Sequence, residues 1–215
     1  MTTAPARPLE VRYELEGWDV FLTLLEVSEG HEAELAKLRL RVTERARERH
    51  RLAQLASHPA VAALRRLFRA AGCDPTRYRP SSEALLRRLL KGGDLPAIHP
   101  LVDLNNCLSA ELAVPCCVMA DGTFAPPLVL RAGEPGEAYE SLRGPFKLEG
   151  KPLLADAGGP LDAPITGSRR VKVRTDTRRA WLAAYLPATE VSAAAAAEAL
   201  DDLLARAPVA VRHRR

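Results

Sequence analysis

The sequence predicts an α+β fold, on three observations. Apolar residues recur at helical spacing from residue 30 to residue 112, interrupted by glycine and proline. From Val114 to Pro187 the pattern changes to short apolar runs divided by turn signals, as expected of strands. An alanine-rich stretch with leucines at helical spacing follows before the chain ends. A doubly wound parallel sheet would contradict this reading.

Residues 9 to 27 read as two short strands about Gly17. Val20, Leu22 and Leu24 alternate with Phe21, Thr23 and Leu25, the composition of a strand buried on both faces. Gly30-His31 opens a long helix with Leu35, Leu38 and Val42 on one face and Arg41, Arg45 and Arg49 on another. Ser57-His58-Pro59 breaks it, because proline suits a helix start and not its interior. A second helix turns Val61, Leu64 and Phe68 inward and stops at Gly72. Ser81 or Ser82 caps a third, whose Leu85, Leu86, Leu89 and Leu90 face the core before Gly92-Gly93.

Pro100 disfavours the α region for His99 and holds it extended. A fourth helix then carries Leu101, Leu104, Leu108 and Leu112 as one stripe, with Asp103, Asn106 and Ala110 on a different face. Two polar groups and a small residue on that face leave room for a ligand. Pro115 ends the helix, and Cys116 to Met119 is the next strand. Asp121-Gly122 marks a turn before the strand Leu128 to Arg131. Leu153-Leu154-Ala155 is a strand that ends at Asp156, with Gly158-Gly159-Pro160 as a loop. In Arg170 to Arg174, period 2 sets Arg170, Lys172 and Arg174 on one face of a strand and two valines on the other. Trp181 to Leu186 is the last strand expected. Ser192 caps a helix with Leu200, Leu203 and Leu204 inward, Pro208 ends it, and the tail frays. The expected organisation is residues 1–79, strands and helices packing on the main domain; residues 80–207, the main domain; and residues 208–215, a frayed basic tail.

At 215 residues, with 47% apolar and 27% charged residues, the chain has the composition of a soluble globular protein with a full core. No apolar run approaches the roughly 20 residues that span a membrane, so no membrane partner is expected. Residues 1–8 hold no secretory apolar region, and four cysteines without a C-x-x-C spacing suggest no disulfide framework. A reducing cytoplasm is the simplest location. The glycine-rich dinucleotide and phosphate-loop signatures are absent, so no nucleotide cofactor, and no cofactor at all, is expected. The net charge of +4 permits a nucleic-acid partner. Residues 37 to 51 hold seven Lys or Arg against Glu44 and Glu48, and residues 169 to 179 hold six against Asp176. Each run is either a solvated face or a phosphate-binding surface.

His99, Cys107, Cys116 and Cys117 are zinc-ligand types close in sequence, but their spacing matches no zinc pattern and no metal is expected. Cys117 is either a nucleophile, with His99 as its base, or a small buried side chain.

Val102-Asp103-Leu104-Asn105-Asn106, Glu111-Leu112, and Pro115 two residues before Cys117 resemble the B3/B4 module of the phenylalanyl-tRNA synthetase beta subunit. The likeness continues through Val129-Leu130-Arg131, Gly136-Glu137, Gly144, Leu154-Ala155-Asp156 and Thr177, and covers roughly residues 80 to 187. That module is the family's editing domain, which hydrolyses wrongly charged tRNA. The resemblance implies a layered sandwich of β-sheets with a helical layer, preceded here by a mostly helical N-terminal part. It implies a pocket at Asp103, Asn106, Cys117, Thr166, Gly167, Ser168 and Arg169, to which helical spacing adds Ala110; if RNA binds, Arg170, Lys172 and Arg174 of the basic strand are expected to meet its phosphates. Two positions depart from the family. Cys117 falls where the family has a histidine, and Arg169 falls where it has the glutamate that reads a tyrosine hydroxyl. A cation cannot replace that carboxylate, so rejection of tyrosine is not expected. The chain has no room for an aminoacylation core. The reading is a free-standing module that binds tRNA or aminoacyl-tRNA and either hydrolyses mischarged esters in trans or binds RNA or a small ligand without chemistry.

Overall fold

The computed structural model describes residues 9–213. The apolar run of residues 20–25 forms β2 (Trp18–Val27), which needs cover on both faces and has it. It lies between β11 (Ala210–His213) and β10 (Arg179–Pro187), with β3 (Cys116–Ala120) on the far side of β10. All pairs in this four-stranded sheet are antiparallel. A five-stranded sheet runs in the order β1 (Val11–Tyr13), β4 (Leu128–Ala132), β7 (Pro152–Asp156), β8 (Gly159–Ala163), β9 (Thr166–Gly167). Only β1 and β4 pair in parallel, so the sheet is not doubly wound. A hairpin of β5 (Ala138–Ser141) and β6 (Gly144–Lys147) stands beside it.

The helices are α1 (Glu32–Arg49), α2 (Pro59–Ala70), α3 (Ser81–Leu90), α4 (Pro100–Leu112) and α5 (Ala193–Arg206). The expected inward residues of α1, α2 and α5 are at most 4% exposed, except Leu204, which is half-buried. The main core draws on residues from Trp18 to Ala210, so residues 9–79 and 80–207 share one hydrophobic interior. The fold is mixed α+β, as expected.

Four local expectations are corrected, and one hairpin is added. Residues 210–213, expected to fray, pair with β2, because Val209 and Ala210 have an apolar site to fill; Arg214 and Arg215 lie outside the described residues, as do residues 1–8. Residues 170–174 form no strand. Val171 and Val173 are buried and the cations between them exposed, but the segment runs as a loop tied to β3 by the Ala120 N–H donating to the Val171 carbonyl at 2.9 Å. Alternation marks a segment with one buried side, with or without a ladder partner. Neither Ser81 nor Ser82 caps α3; Pro80 occupies that position. Gly159 and Pro160 begin β8 rather than a loop. The β5–β6 hairpin was not foreseen, since its exposed, mixed residues carry no apolar run.

Helix α4 starts as its sequence dictates. His99 is extended at φ −164° and ψ 141°, and its Nδ1 accepts the Leu101 N–H at 3.2 Å. Its Nε2 donates to the Thr177 carbonyl at 3.2 Å, which ties the 168–178 loop to the helix start. Asp103, 2% exposed, accepts the N–H groups of Ile98 (2.8 Å) and His99 (3.3 Å) and ion-pairs with Arg39 of α1. At the other end of α4, Glu111 pairs with Arg45 at 2.5 Å and Arg49 at 3.0 Å. Much of the basic run of α1 therefore fastens α1 to α4. Asp103→Ala should strand Arg39 and free two N–H groups, costing about 3–5 kcal/mol in urea unfolding. A loss below about 1 kcal/mol would show that the hub contributes little.

Candidate functional site

Helices α3 and α4, strand β3, the β8–β9 turn, the β5–β6 tip and the 168–173 loop enclose a cleft of about 390 Å³. The apolar pattern places the walls. Leu85 on α3 and Val102 on α4 lie beside the buried stripes of their helices, so they face the seam between elements. Ile98 and Leu142 stand on the cleft at 63% and 50% exposure, unusual for large apolar side chains. A smaller recess of about 230 Å³ continues between α3 and α4, past Asn106, Ser109 and Arg143.

Of the residues expected at a site, Asn106, Cys117, Thr166, Gly167 and Ser168 line the cleft. Arg169 lines an adjoining hollow of about 390 Å³ with Leu142, Lys172 and Arg174. Leu142 and Lys172 belong to both, so the two are continuous. Asp103 and Ala110 do not line the cleft. Asp103 is the hub described above, and Ala110, 3% exposed, packs in the main core. Residue spacing set Ala110 opposite the leucine stripe, but α4 is covered on several sides at once. Thr166 and Gly167 form β9 rather than a free closing loop. The Thr166 carbonyl accepts from the Tyr139 hydroxyl at 2.5 Å, and the Gly167 carbonyl accepts from the Leu142 N–H at 3.1 Å. A Cβ at Gly167 would lie in ordinary van der Waals contact, 3.5 Å from Asp162 Oδ1 and 3.6 Å from Leu142. The Ser168 hydroxyl donates to the Leu161 carbonyl at 2.5 Å and is occupied structurally. Arg170 is held by Asp156 at 2.8 Å.

The nucleophile reading of Cys117 lacks the base suggested for it. Both nitrogens of His99 are engaged, with Leu101 and Thr177. Desolvation pushes the Cys117 thiol well above its usual range, with Asp162 adding to the shift, so the thiolate is disfavoured. Among the described residues no group of three His, Cys, Asp or Glu side chains is placed to hold a metal ion.

The residue that sequence reasoning missed is Asp162 of β8. It lines the cleft at 2% exposure. Its Oδ2 accepts from the Tyr185 hydroxyl at 2.8 Å, and the Cys117 thiol and Ala163 N–H also bond to it. Burial raises its pKa to about 7, with those three donors pulling back against the shift. Burial and Asp162 together raise the Tyr185 hydroxyl well above the usual tyrosine range. A buried aspartate inside Pro160-Leu161-Asp162-Ala163 looks like any turn aspartate in sequence. Only the flanking apolar residues at Leu161 and Ala163 hinted at a strand.

Asp162 also differs from the other shielded carboxylates. Glu83 is paired with Arg65 at 3.0 Å and Arg87 at 2.9 Å, Glu137 with Arg131 at 2.6 Å, and Asp103, Glu111 and Asp156 with the arginines named above. Asp162 has no Lys or Arg at ion-pair distance among the described residues, whereas Arg143, Lys172 and Arg174 at the cleft mouth have no acidic partner among them. The wall adds Asn105, 6% exposed, whose Nδ2 donates to the Cys116 carbonyl at 3.4 Å while its Oδ1 has no partner.

The family model of the B3/4 domain matches residues 63–202. The solved N-terminal fragment of the phenylalanyl-tRNA synthetase beta subunit from Pyrococcus horikoshii is similar at 14% identity and a TM-score of 0.46. The match covers 98% of this chain and 57% of that one, so the chain spans little more than half of that fragment. No curated protein matches the chain in sequence. Among the described residues no helix is long and apolar enough to cross a membrane.

Asp162 has a pKa raised above its unfolded value, so the folded protein holds the extra proton between about pH 4 and 7. This group therefore lowers stability as pH rises through that window, and the loss is complete above about 7. Asp162→Asn removes the ionisation penalty and should stabilise the protein at pH 8 by a few kcal/mol in urea unfolding, with the gain shrinking toward pH 4. A gain that is the same at pH 4.5 and pH 8 would contradict the shift.

Proposed function

The chain belongs to the B3/4 domain family, and from that membership we propose that it is a module that binds aminoacyl-tRNA or a related acylated RNA. The observation that carries the reading is the charge arrangement of the cleft. Arg143, Lys172 and Arg174 stand at the mouth without acidic partners among the described residues, while Arg39, Arg45, Arg47 and Arg49 of α1 are engaged in ion pairs with α4 and its surroundings. Unpaired cations beside a partly apolar cleft suit a ligand with phosphates outside and a small group within. The exposed side chains of Ile98 and Leu142 offer apolar surface on which terminal bases can rest. Binding at this position would place the acylated end of an RNA against Asn105, Asn106, Cys117 and Asp162.

Hydrolysis of a mischarged ester in trans is the second reading, favoured by Asp162. A carboxyl with a pKa near 7 is in the range that suits proton transfer at neutral pH. A panel of mischarged tRNAs separates the two: release of any amino acid establishes a hydrolase, and tight binding without turnover leaves the binding module.

The binding reading is tested with a short CCA-ending RNA carrying an amide-linked aminoacyl group. The triple variant Arg143→Ala, Lys172→Ala, Arg174→Ala should weaken binding alike for all RNA sequences. It should also flatten the dependence of log affinity on log salt by about 0.7 per lost phosphate contact on single strands. Affinity and slope equal to those of the unaltered protein would remove the mouth from the RNA-binding surface.

A further inference from the structure

The Asp162 carboxyl is buried, lines an open cleft, and is left without a cation among the described residues. Elsewhere the fold supplies an arginine to each shielded carboxylate named above, so the missing partner is specific to this position. The groups that face Asp162 are all donors or neutral: the Cys117 thiol from β3, the Tyr185 hydroxyl and the Tyr139 ring system from β10 and β5. The cations of the site, Arg88, Arg143 and Lys172, lie on the cleft lining without an ion pair to it. A second acceptor, Asn105 Oδ1, is also buried on the same wall without a donor. A buried carboxyl without a cation and a buried acceptor without a donor, in a cleft whose mouth is cationic, point to a ligand that is anionic at one end and carries N–H donors with positive charge at the other.

We propose that the floor of the cleft is an amine subsite, in which Asp162, with Asn105 Oδ1 as a second acceptor on the wall, binds a cationic amine of the ligand whose phosphate meets the mouth. The proposal rests on the acylated-RNA reading above and deepens it by assigning the inner half of the ligand. The amine has two sources in an aminoacyl group, the α-amino group and a basic side chain, and both present an ammonium. Bringing that ammonium to Asp162 replaces the missing arginine and satisfies a carboxylate that is otherwise costly to ionise. Tyr185 and Cys117 are positioning residues, since their hydrogen bonds hold the carboxyl in place.

A pH dependence follows. The ammonium binds the ionised carboxylate, so below about pH 7 complex formation must first release the Asp162 proton. Affinity therefore rises as pH climbs toward 7, by up to about tenfold per unit, and levels off above it. It falls again when the ligand amine loses its own proton, near pH 8 for an α-amino group and roughly 10.4 for a lysine side chain.

The test measures affinity of the full chain for the amide-linked aminoacyl RNA from pH 5.5 to 10. Four forms of the RNA are compared: glycyl, N-acetylglycyl, lysyl and Nα-acetyl-lysyl. The expected result is a preference of roughly 10- to 100-fold for free-amine forms over N-acetylglycyl at pH 7.5. Retained binding of Nα-acetyl-lysyl RNA with an alkaline limit near 10 assigns the subsite to a side chain, and its loss assigns it to the α-amine. Asp162→Asn should erase both the preference and the rise between pH 5.5 and 7; Tyr185→Phe should weaken the preference without abolishing it. Equal binding of glycyl, N-acetylglycyl, lysyl and Nα-acetyl-lysyl RNA by the unaltered protein overturns the subsite whether or not the variants fold. Affinity that declines as pH rises through 7 also overturns it, since Asp162 would then act as a protonated donor. Failure of every RNA to bind, acylated or not, would instead remove the acylated-RNA reading and the subsite with it.

Discussion

Strand β10 is the constraint on which the rest of the molecule is arranged. It pairs along nine residues with β2 on one side and along five with β3 on the other, and eight of its nine residues are buried. A strand enclosed in this way must be apolar on both faces, and its neighbours must bring helices to cover them. Its small residues set the shape of the site. Ala183 and Ala184 lie opposite Cys117 and Cys116, so no bulky side chain fills the space above the sheet at that point. The next residue, Tyr185, reaches back with its hydroxyl to Asp162 of the other sheet, and together with the Cys117 thiol it links the two sheets at the floor of the cleft.

The fold treats its charges in two ways. Most shielded carboxylates are met by arginine, and the pairs join elements distant in sequence: α1 to α4, α2 to α3, β7 to the 168–173 loop. These pairs explain a basic composition without any ligand. The cleft reverses the pattern, with unpaired cations outside and an unpaired carboxyl inside. A buried carboxyl that lacks a cation costs stability whenever it ionises, and such a cost is tolerated where a ligand relieves it.

Pockets that bind small polar groups need such groups held in fixed positions before the ligand arrives. Here the positions are fixed by regular structure rather than by loose loops. Asp162 and Gly167 face each other across the β8–β9 ladder, Cys117 sits in β3, and Asn105 projects from α4. His99 contributes at a distance, since its ring joins the start of α4 to the carbonyl of Thr177 and so steadies the loop that carries Lys172 and Arg174.

Much of this was legible in the sequence because the signals are local. Pro100 fixed the start of α4 and the extended His99; the doubly apolar run at residues 20–25 specified an enclosed strand; Val171 and Val173 announced one buried side. The family likeness also rested on local motifs, and Asn106, Cys117 and the 166–168 segment came from it. The remainder depended on which distant elements meet. Spacing along α4 could not reveal that Asp103 would be taken by Arg39, sixty-four residues away in the chain, or that Ala110 would face core rather than cleft. It could not show that residues 170–174 lack a ladder partner, or that residues 210–213 gain one. Above all it could not distinguish Asp162 from an ordinary turn aspartate. A single sequence determines which residues prefer to be buried and where helices and strands begin. Only the tertiary structure decides which buried charge receives a partner, because that depends on the packing of chain segments that carry no record of one another in their local pattern.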